Sequence, residues 1–392
     1  MSYLCPMAGK FRTPQVLSIS ITHLLHDIYT SFLAPILPLL IEKLGFSLSL
    51  AGLLSLIQRI PSLLNPLIGI IADKAAVRYF VIISPSITAI SMSLLGVATS
   101  YTFLAILLFI SGISSAVFHV PTPVLVKNVS GNRIGTGMSF YMLGGELART
   151  LGPIVILASV SYWGLEGSWR LVFLALIATV FLFFLLRDVD ADVEIRKKKQ
   201  EEKSESIWQY IKSIKMILIA ISGITFFRAM MKSALTAFLP TFINNQGESL
   251  WIAGISLTVL QFAGAISVMT AGTVSDKIGR INMLKIAAIG SPLFMWLFVY
   301  LGQAFVFPVL VLLGLSIFAT TPVLLAYLQE VGKDRPAFIN SIYMTVGFGS
   351  GAIAVVLVGA LGDVIGLKNT FEITAYIGLG AIPFVFLLNK LK

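Results

Sequence analysis

The sequence predicts an all-α polytopic membrane protein of twelve transmembrane helices, built as two six-helix bundles around a central cavity. Three observations lead there. Of 392 residues, 57% are hydrophobic and 12% are charged, about half the roughly 25% charged share of a soluble domain. Mean hydropathy is +0.93, and apolar runs of about 20 residues, the length that crosses a bilayer, recur from end to end. The third observation is an internal repeat, described below. A soluble chain of this length folds as about two or three domains with polar exteriors, and this composition cannot cover them. A soluble enzyme and a disordered chain are therefore excluded. Cys5 is the only cysteine, so a disulfide scaffold is excluded as well.

The apolar runs place helices at 14–40, 50–72, 78–98, 102–124, 134–161 and 168–187, then at 212–243, 250–273, 281–301, 304–329, 336–362 and 370–389. The N-terminus lacks the charged, apolar, small-residue order of a cleaved signal peptide, so the first helix is expected to serve as its own insertion signal. Between the sixth and seventh helices lies the one long hydrophilic stretch, Asp188 to Ser206, with Arg196 to Lys199 and Glu201-Glu202-Lys203 inside it. It reads as a solvated linker. The organisation that follows is a bundle at 1–187, a cytoplasmic linker at 188–211 and a second bundle at 212–392.

The halves repeat. Gly69-Ile-Ile-Ala-Asp73-Lys74 after the second helix matches Gly272-Thr-Val-Ser-Asp276-Lys277 after the eighth. Ser139-Phe-Tyr141-Met142 in the fifth matches Ser341-Ile-Tyr343-Met344 in the eleventh, and Arg133 matches Arg335. All three anchors are about 200 residues apart, which argues for a duplicated six-helix unit; with an even number of spans the copies run parallel, one of the transporter architectures.

Lys and Arg set the orientation. With both termini and the linker in the cytoplasm, about 21 basic residues lie inside, about 3 (Lys43, Arg170, Lys368) outside and about 4 within helices. This bias accounts for the net charge of +10 by membrane insertion, with no nucleic-acid partner. The expected location is the cell (inner) membrane, multi-pass.

Ionisable side chains inside membrane helices are costly and mark cavities, partners and function. This chain has His23, His26 and Asp27 in the first helix, Arg59 in the second and His119 in the fourth. Glu146 and Arg149 lie in the fifth, Arg228 and Lys232 in the seventh. Spacings of three or four residues put His23 with Asp27, Glu146 with Arg149, and Arg228 with Lys232 on common faces. His26 falls off the Asp27 face and reads as packing. Four cations against two carboxylates leave about two cations uncompensated in a low-dielectric setting. An anionic small-molecule substrate would balance them, and Arg suits bidentate capture of carboxylate or phosphonate. The expected substrate contacts are Arg59, Arg149, Arg228, Lys232, His23 and His119. Asp27 and Glu146, each with a cation within reach, are the expected proton-coupling groups. No cofactor, metal or catalytic residue is expected, since His-Glu-x-x-His, Gly-x-Ser-x-Gly and Walker signatures are missing. A monomer exchanging protons and substrate across the bilayer is the resulting picture.

The paired Gly-xxx-Asp-Lys turns, with Arg78 and Gly279-Arg280 following, resemble the loop signature of the major facilitator superfamily. The resemblance implies the twelve-helix fold, with helices of the first, fourth, seventh and tenth type lining the cavity. It also implies conformational gating by Gly69, Asp73, Lys74, Gly272, Asp276, Lys277 and Arg280. Here Gly permits close helix contact, and Asp can cap a facing helix N-terminus. Gly144-Gly145, Gly152-Pro153 and Gly347-xxx-Gly351 read as sites of close helix packing. Within the superfamily, His23-Leu-Leu-His-Asp27, Ser115-Ala-Val-Phe118-His119, and Gly144-Gly145 followed by Leu151-Gly152-Pro153 resemble the fosmidomycin-resistance branch. Its members carry Asn where His26 stands and a Pro-Glu pair where this chain has Val120-Pro121. That resemblance implies proton-driven efflux of a phosphonate-like anion, by alternating access. The same cations would equally serve a symporter importing an organic anion.

Overall fold

The computed structural model describes residues 11–65, 68, 77–131, 133–185, 211–301, 305–331 and 336–391. Among these residues every regular element is helical. Ten stretches are long and apolar enough to cross a membrane, and Leu48–Leu64 is a shorter apolar helix. The last stretch, Ile342–Lys390, turns at Gly366, where φ is 79°. Only glycine adopts that left-handed conformation without strain, so two of the expected spans lie within it. The twelve-helix expectation is met.

The first span is two helices, α1 (Thr13–Thr30) and α2 (Leu33–Leu44). The break at Ser31 lies four residues before Pro35, whose ring clashes with the carbonyl at that distance. The Thr30 and Ser31 hydroxyls donate to the Asp27 carbonyl at 2.9 and 2.8 Å, closing the loosened turn. The second span is α3 (Leu48–Arg59) with a 3₁₀ turn at Ile60–Leu64, and the third is α4 (Val77–Ser93). The fourth is broken into α5 (Tyr101–His119) and α6 (Thr122–Val129). Here Pro123 stands four residues after His119, so the same steric rule ends the helix on that histidine. The fifth span is α7 (Ile134–Trp163) and the sixth α8 (Leu171–Leu185).

In the second half, α9 (Lys215–Ser233) passes through a π-helical turn, Ala234–Phe238, into α10 (Leu239–Asn245). Pro240 follows that turn and removes the donor a regular helix would use. Then come α11 (Leu250–Ile278), α12 (Arg280–Tyr300), α13 (Val306–Val331), α14 (Pro336–Leu379) and α15 (Ala381–Lys390).

The chain divides into two compact units, Met1–Gly45 with Leu54–Arg196, and Phe46–Leu53 with Lys197–Lys392. Their internal pairings correspond. In the first, α1 packs on α7 and α4 on α5; in the second, α9 packs on α14 and α12 on α13. Equivalent spans thus find equivalent partners, as duplication requires. Each unit has its own apolar core, around Val16, Ile19, Phe118 and Tyr141 in the first and Ile221, Leu284, Leu324 and Tyr327 in the second. Large apolar side chains at helical spacing face outward, among them Leu174, Ile177 and Phe184 on α8 and Ile286, Ile289 and Leu293 on α12. Those faces suit acyl chains.

The segment Phe46–Leu53 groups with the second unit because Asp363 receives it. One carboxylate oxygen accepts from the Leu48 N–H at 2.7 Å and the other from the Ser49 N–H at 2.8 Å. The Ser49 hydroxyl also donates to it. A Cβ on Gly359 would lie 2.3 Å from the Leu48 carbonyl oxygen, so the close approach needs glycine.

Candidate functional site

The first unit brings all three histidines of the chain to one carboxylate. Asp27 lies on the last full turn of α1, and His23 one turn earlier puts Nε2 3.2 Å from Asp27 Oδ2. His119, the last residue of α5, brings Nε2 to 3.1 Å from Asp27 Oδ1. His26 brings Nδ1 to 2.9 Å from the same oxygen. His26 is packed, as its position off the Asp27 face leads one to expect, but it also reaches Asp27: adjacent helix positions diverge, and the short Asp27 side chain folds back to its neighbour. The expectation that an Arg or Lys pairs with Asp27 is corrected, since its partners among the described residues are imidazoles. The nitrogen and oxygen atoms of His23, Asp27 and His119 lie within 4.8 Å of one another, and hydrogen bonds account for their spacings.

Packing holds these rings in place. His26 is fully buried and stacks on Phe118 at 4.3 Å between ring centres. His23 stacks on Tyr141 at 4.0 Å. Glycine makes room behind it, because a Cβ on Gly145 would lie 2.6 Å from the His23 ring, and one on Gly144 2.4 Å from the Ser20 carbonyl oxygen. Gly152 similarly faces Ser31 and Ile28, so these glycines make the close helix packing expected of them, and α1 is the partner they pack against. His119, with 37% of its side chain exposed, is the cluster's opening to its surroundings.

Each ring has an outer partner. His23 Nδ1 donates to the Tyr141 carbonyl at 2.7 Å, and His119 Nδ1 lies 3.3 Å from the Tyr141 hydroxyl. His26 Nε2 lies 3.0 Å from the Thr88 hydroxyl. Thr88 donates to the Ser114 hydroxyl and Ser114 to the Ser84 carbonyl, both at 2.8 Å. These hydroxyls escaped the sequence reading. The available signal was the four-residue spacing of Ser84 and Thr88, which places both on one face of an otherwise apolar span.

Glu146 and Arg149 form the ion pair that their spacing predicts, on α7. Arg59 ends α3, where the span continues into the Ile60–Leu64 turn, and is exposed, with no carboxylate paired to it among the described residues. In the second unit Arg228 is 9% exposed and donates from Nη1 to the Thr321 hydroxyl at 2.6 Å. It pairs with no carboxylate among the described residues, and its Nε has no acceptor there. Lys232, one turn on, holds Nζ 4.9 Å from the centre of the Phe318 ring. A narrow cleft beside Arg228 is lined by Ile224, Met231, Leu284 and Thr320.

Of the gating residues, Gly69, Asp73 and Lys74 lie outside the described residues. In the second copy Arg280 is the hub. It pairs with Asp276 and, at 3.0 Å, with Glu330, and it donates to the Gly272 carbonyl at 3.0 Å. Ends of α11, α12 and α13 are thereby tied together. A Cβ on Gly272 or Gly347 would meet nothing within 4 Å among the described residues, so the close helix contact expected at these two glycines is not made. What Gly272 supplies is a carbonyl.

A family model described as the Major Facilitator Superfamily matches residues 19–355. The fosmidomycin resistance protein of Escherichia coli K12 is 25% identical over 374 residues, spanning 94% of this chain and 91% of that protein. The multi-drug resistance efflux pump PmrA of Streptococcus pneumoniae is 21% identical over 269 residues, 66% of each chain. The crystal structure of a bacterial homologue of the human lysosomal transporter Spinster, inward-facing and unoccupied, superposes with a TM-score of 0.80 at 15% identity, covering 97% of this chain and 98% of that one. Helical architecture, duplicated halves and these likenesses agree: the chain belongs to the Major Facilitator Superfamily and is a multi-pass membrane protein of a transporter family.

Proposed function

We propose that this chain is a proton-coupled secondary transporter that exports a small anionic or amphipathic compound by alternating access. Arg228 carries the anion reading. A guanidinium that is buried, only partly hydrogen-bonded and without a carboxylate among the described residues is costly, and a carboxylate, phosphate or phosphonate supplies the missing charge. Lys232 on the same face adds to the attraction. Asp27 with its imidazoles is the proton-coupling group, while Glu146, already paired with Arg149, is the second carboxylate of this kind. Export is supported by the relatives' names, one a resistance protein and one an efflux pump. Asp276, Lys277 and Arg280, with Gly69, Asp73 and Lys74, gate the cycle from the cytoplasmic side, where both termini lie. The transporter works as a monomer.

A second reading, import of an organic anion together with protons, is favoured by the sign of charge: protons carried with an anion offset its charge. Proteoliposomes separate the two. Fosmidomycin is the probe, with a panel of organic phosphonates and carboxylates beside it. Accumulation driven by an acid lumen means exchange against protons, and accumulation driven by an acid bath means symport. If neither gradient drives any anion of the panel, the proton-coupled anion reading fails.

A further inference from the structure

The hydrogen-bond directions around Asp27 allow its protons to be counted. A carbonyl oxygen only accepts, so the 2.7 Å contact between His23 Nδ1 and the Tyr141 carbonyl puts a proton on Nδ1. A neutral His23 would then present a bare Nε2 to Asp27 Oδ2 at 3.2 Å. His26 is constrained through a longer chain. The Ser84 carbonyl accepts the Ser114 hydroxyl proton, which leaves Ser114 to accept from Thr88. Thr88, its one proton spent, must accept from His26, so Nε2 of His26 carries a proton. A neutral His26 would present a bare Nδ1 to Asp27 Oδ1 at 2.9 Å. Only His119 satisfies Asp27 while neutral, donating from Nε2 and accepting the Tyr141 hydroxyl at Nδ1.

Two contacts therefore set lone pair against lone pair unless each holds an extra proton. Resting on the proton-coupling reading above, we infer that the Asp27 cluster is a two-proton site. It is loaded in this structure, with one proton between His23 and Asp27 and one between His26 and Asp27. Three neutral imidazoles and a carboxylate sum to a charge of −1, so the loaded cluster carries +1. Whether the protons rest as two imidazoliums or as one imidazolium and a carboxylic acid, the count is the same. Released together, they leave the cluster negative. The remaining titratable groups on α1 and the elements packed against it do not alter the count: Tyr141 is already included, Glu146 and Arg149 neutralise each other, the Tyr29 hydroxyl donates to the Leu171 carbonyl, Tyr79, Lys127 and Tyr162 are exposed, and Tyr101 stands at the opposite end of α5 from His119. Thr88, Ser114 and Ser84 act as positioning residues, because they decide which His26 nitrogen faces Asp27.

The chain has three histidines in all, and every one is in the cluster, so a histidine signal reports on this site alone. The test is ¹⁵N-histidine NMR of the full-length protein, purified through a tag without histidine, with infrared detection of any Asp27 carboxylic acid. Imidazoliums plus carboxylic acid should number two, falling together on alkaline titration. Thr88→Val frees His26 to donate from Nδ1 while neutral, and the count should fall to one, whereas Thr88→Ser should retain two. Asp27→Asn supplies an N–H of its own, and no more than one proton should remain. The double variant should hold none. A wild-type count of one or zero throughout the range of about pH 5–9 where imidazole titrates overturns the inference. So does an unchanged count in Thr88→Val that melts like wild type, or a spectrum altered by EDTA. Two protons found in a chain that no pH gradient drives would instead defeat the coupling reading and leave the site as described.

Discussion

Asp27→Asn is expected to abolish uphill transport while leaving exchange of substrate between equilibrated compartments partly intact. Proteoliposome uptake with and without a pH gradient is the measurement, and undiminished uphill transport would remove Asp27 from coupling. Arg228→Leu should weaken an anionic substrate by a factor of about 10 or more, the scale of a charge-assisted hydrogen bond, and a neutral one hardly at all. Binding by thermal shift reads the difference, and equal losses would point to folding damage. Gly145→Ala tests the packing behind the Asp27 cluster. Its methyl group must displace the His23 ring, so proton-driven transport should fall further than melting temperature does. At this scale the sequence was half legible. His23 and Asp27 share a helix face at a four-residue spacing, and a histidine at mid-span stands out in an apolar run. The packing of His26 was legible but its contact with Asp27 was not, because neighbours on a helix point about 100° apart, a rule that a short carboxylate bending along its own backbone evades. Thr88 and Ser114 were hidden because hydroxyls in membrane helices usually bond their own backbone, as Thr22 and Ser91 do here.

Element boundaries follow from proline and glycine. Pro35 and Pro123 end helices on the turns that carry Asp27 and His119, so the breaks leave these two residues at helix ends, where backbone can adjust. The prolines were visible in the sequence, and the steric rule places each break four residues earlier. Arg280 illustrates what spacing alone could not supply. Its position after Gly279 was plain, but its reach to Glu330 at the end of α13 depends on the packing of three helices. Arg280→Lys keeps the charge and loses the planar fork. It is expected to destabilise the protein by no more than about 1 kcal/mol, because both carboxylates are solvent-screened, seen as a lower melting temperature, with the cycle slowed and substrate preference unchanged. A variant as stable as wild type would show that charge alone holds these ends together.

The twelve spans, the duplicated pairings and the outward apolar faces were the most legible features, because bilayer thickness dictates length and a duplicated chain repeats its contacts. Topology is open to a direct check in a Cys5→Ser background. Lys368→Cys should react with an impermeant thiol reagent added outside intact cells, and Lys277→Cys only after the membrane is opened. The reverse pattern would invert the orientation read from basic residues.

The placement of Phe46–Leu53 means that the two sequence halves are not interchangeable cassettes. If the gene were cut within the hydrophilic stretch and the pieces produced separately, the C-terminal piece would lack the strip of backbone that Asp363 holds and Gly359 admits. The carboxylate would then face no donor from that strip, and in the N-terminal piece the Leu48 and Ser49 N–H groups would lose the acceptor that Asp363 gives them. Reassembly from fragments should therefore depend on this one short graft, and Asp363→Ala should impair complementation between the pieces more than it impairs the intact polypeptide.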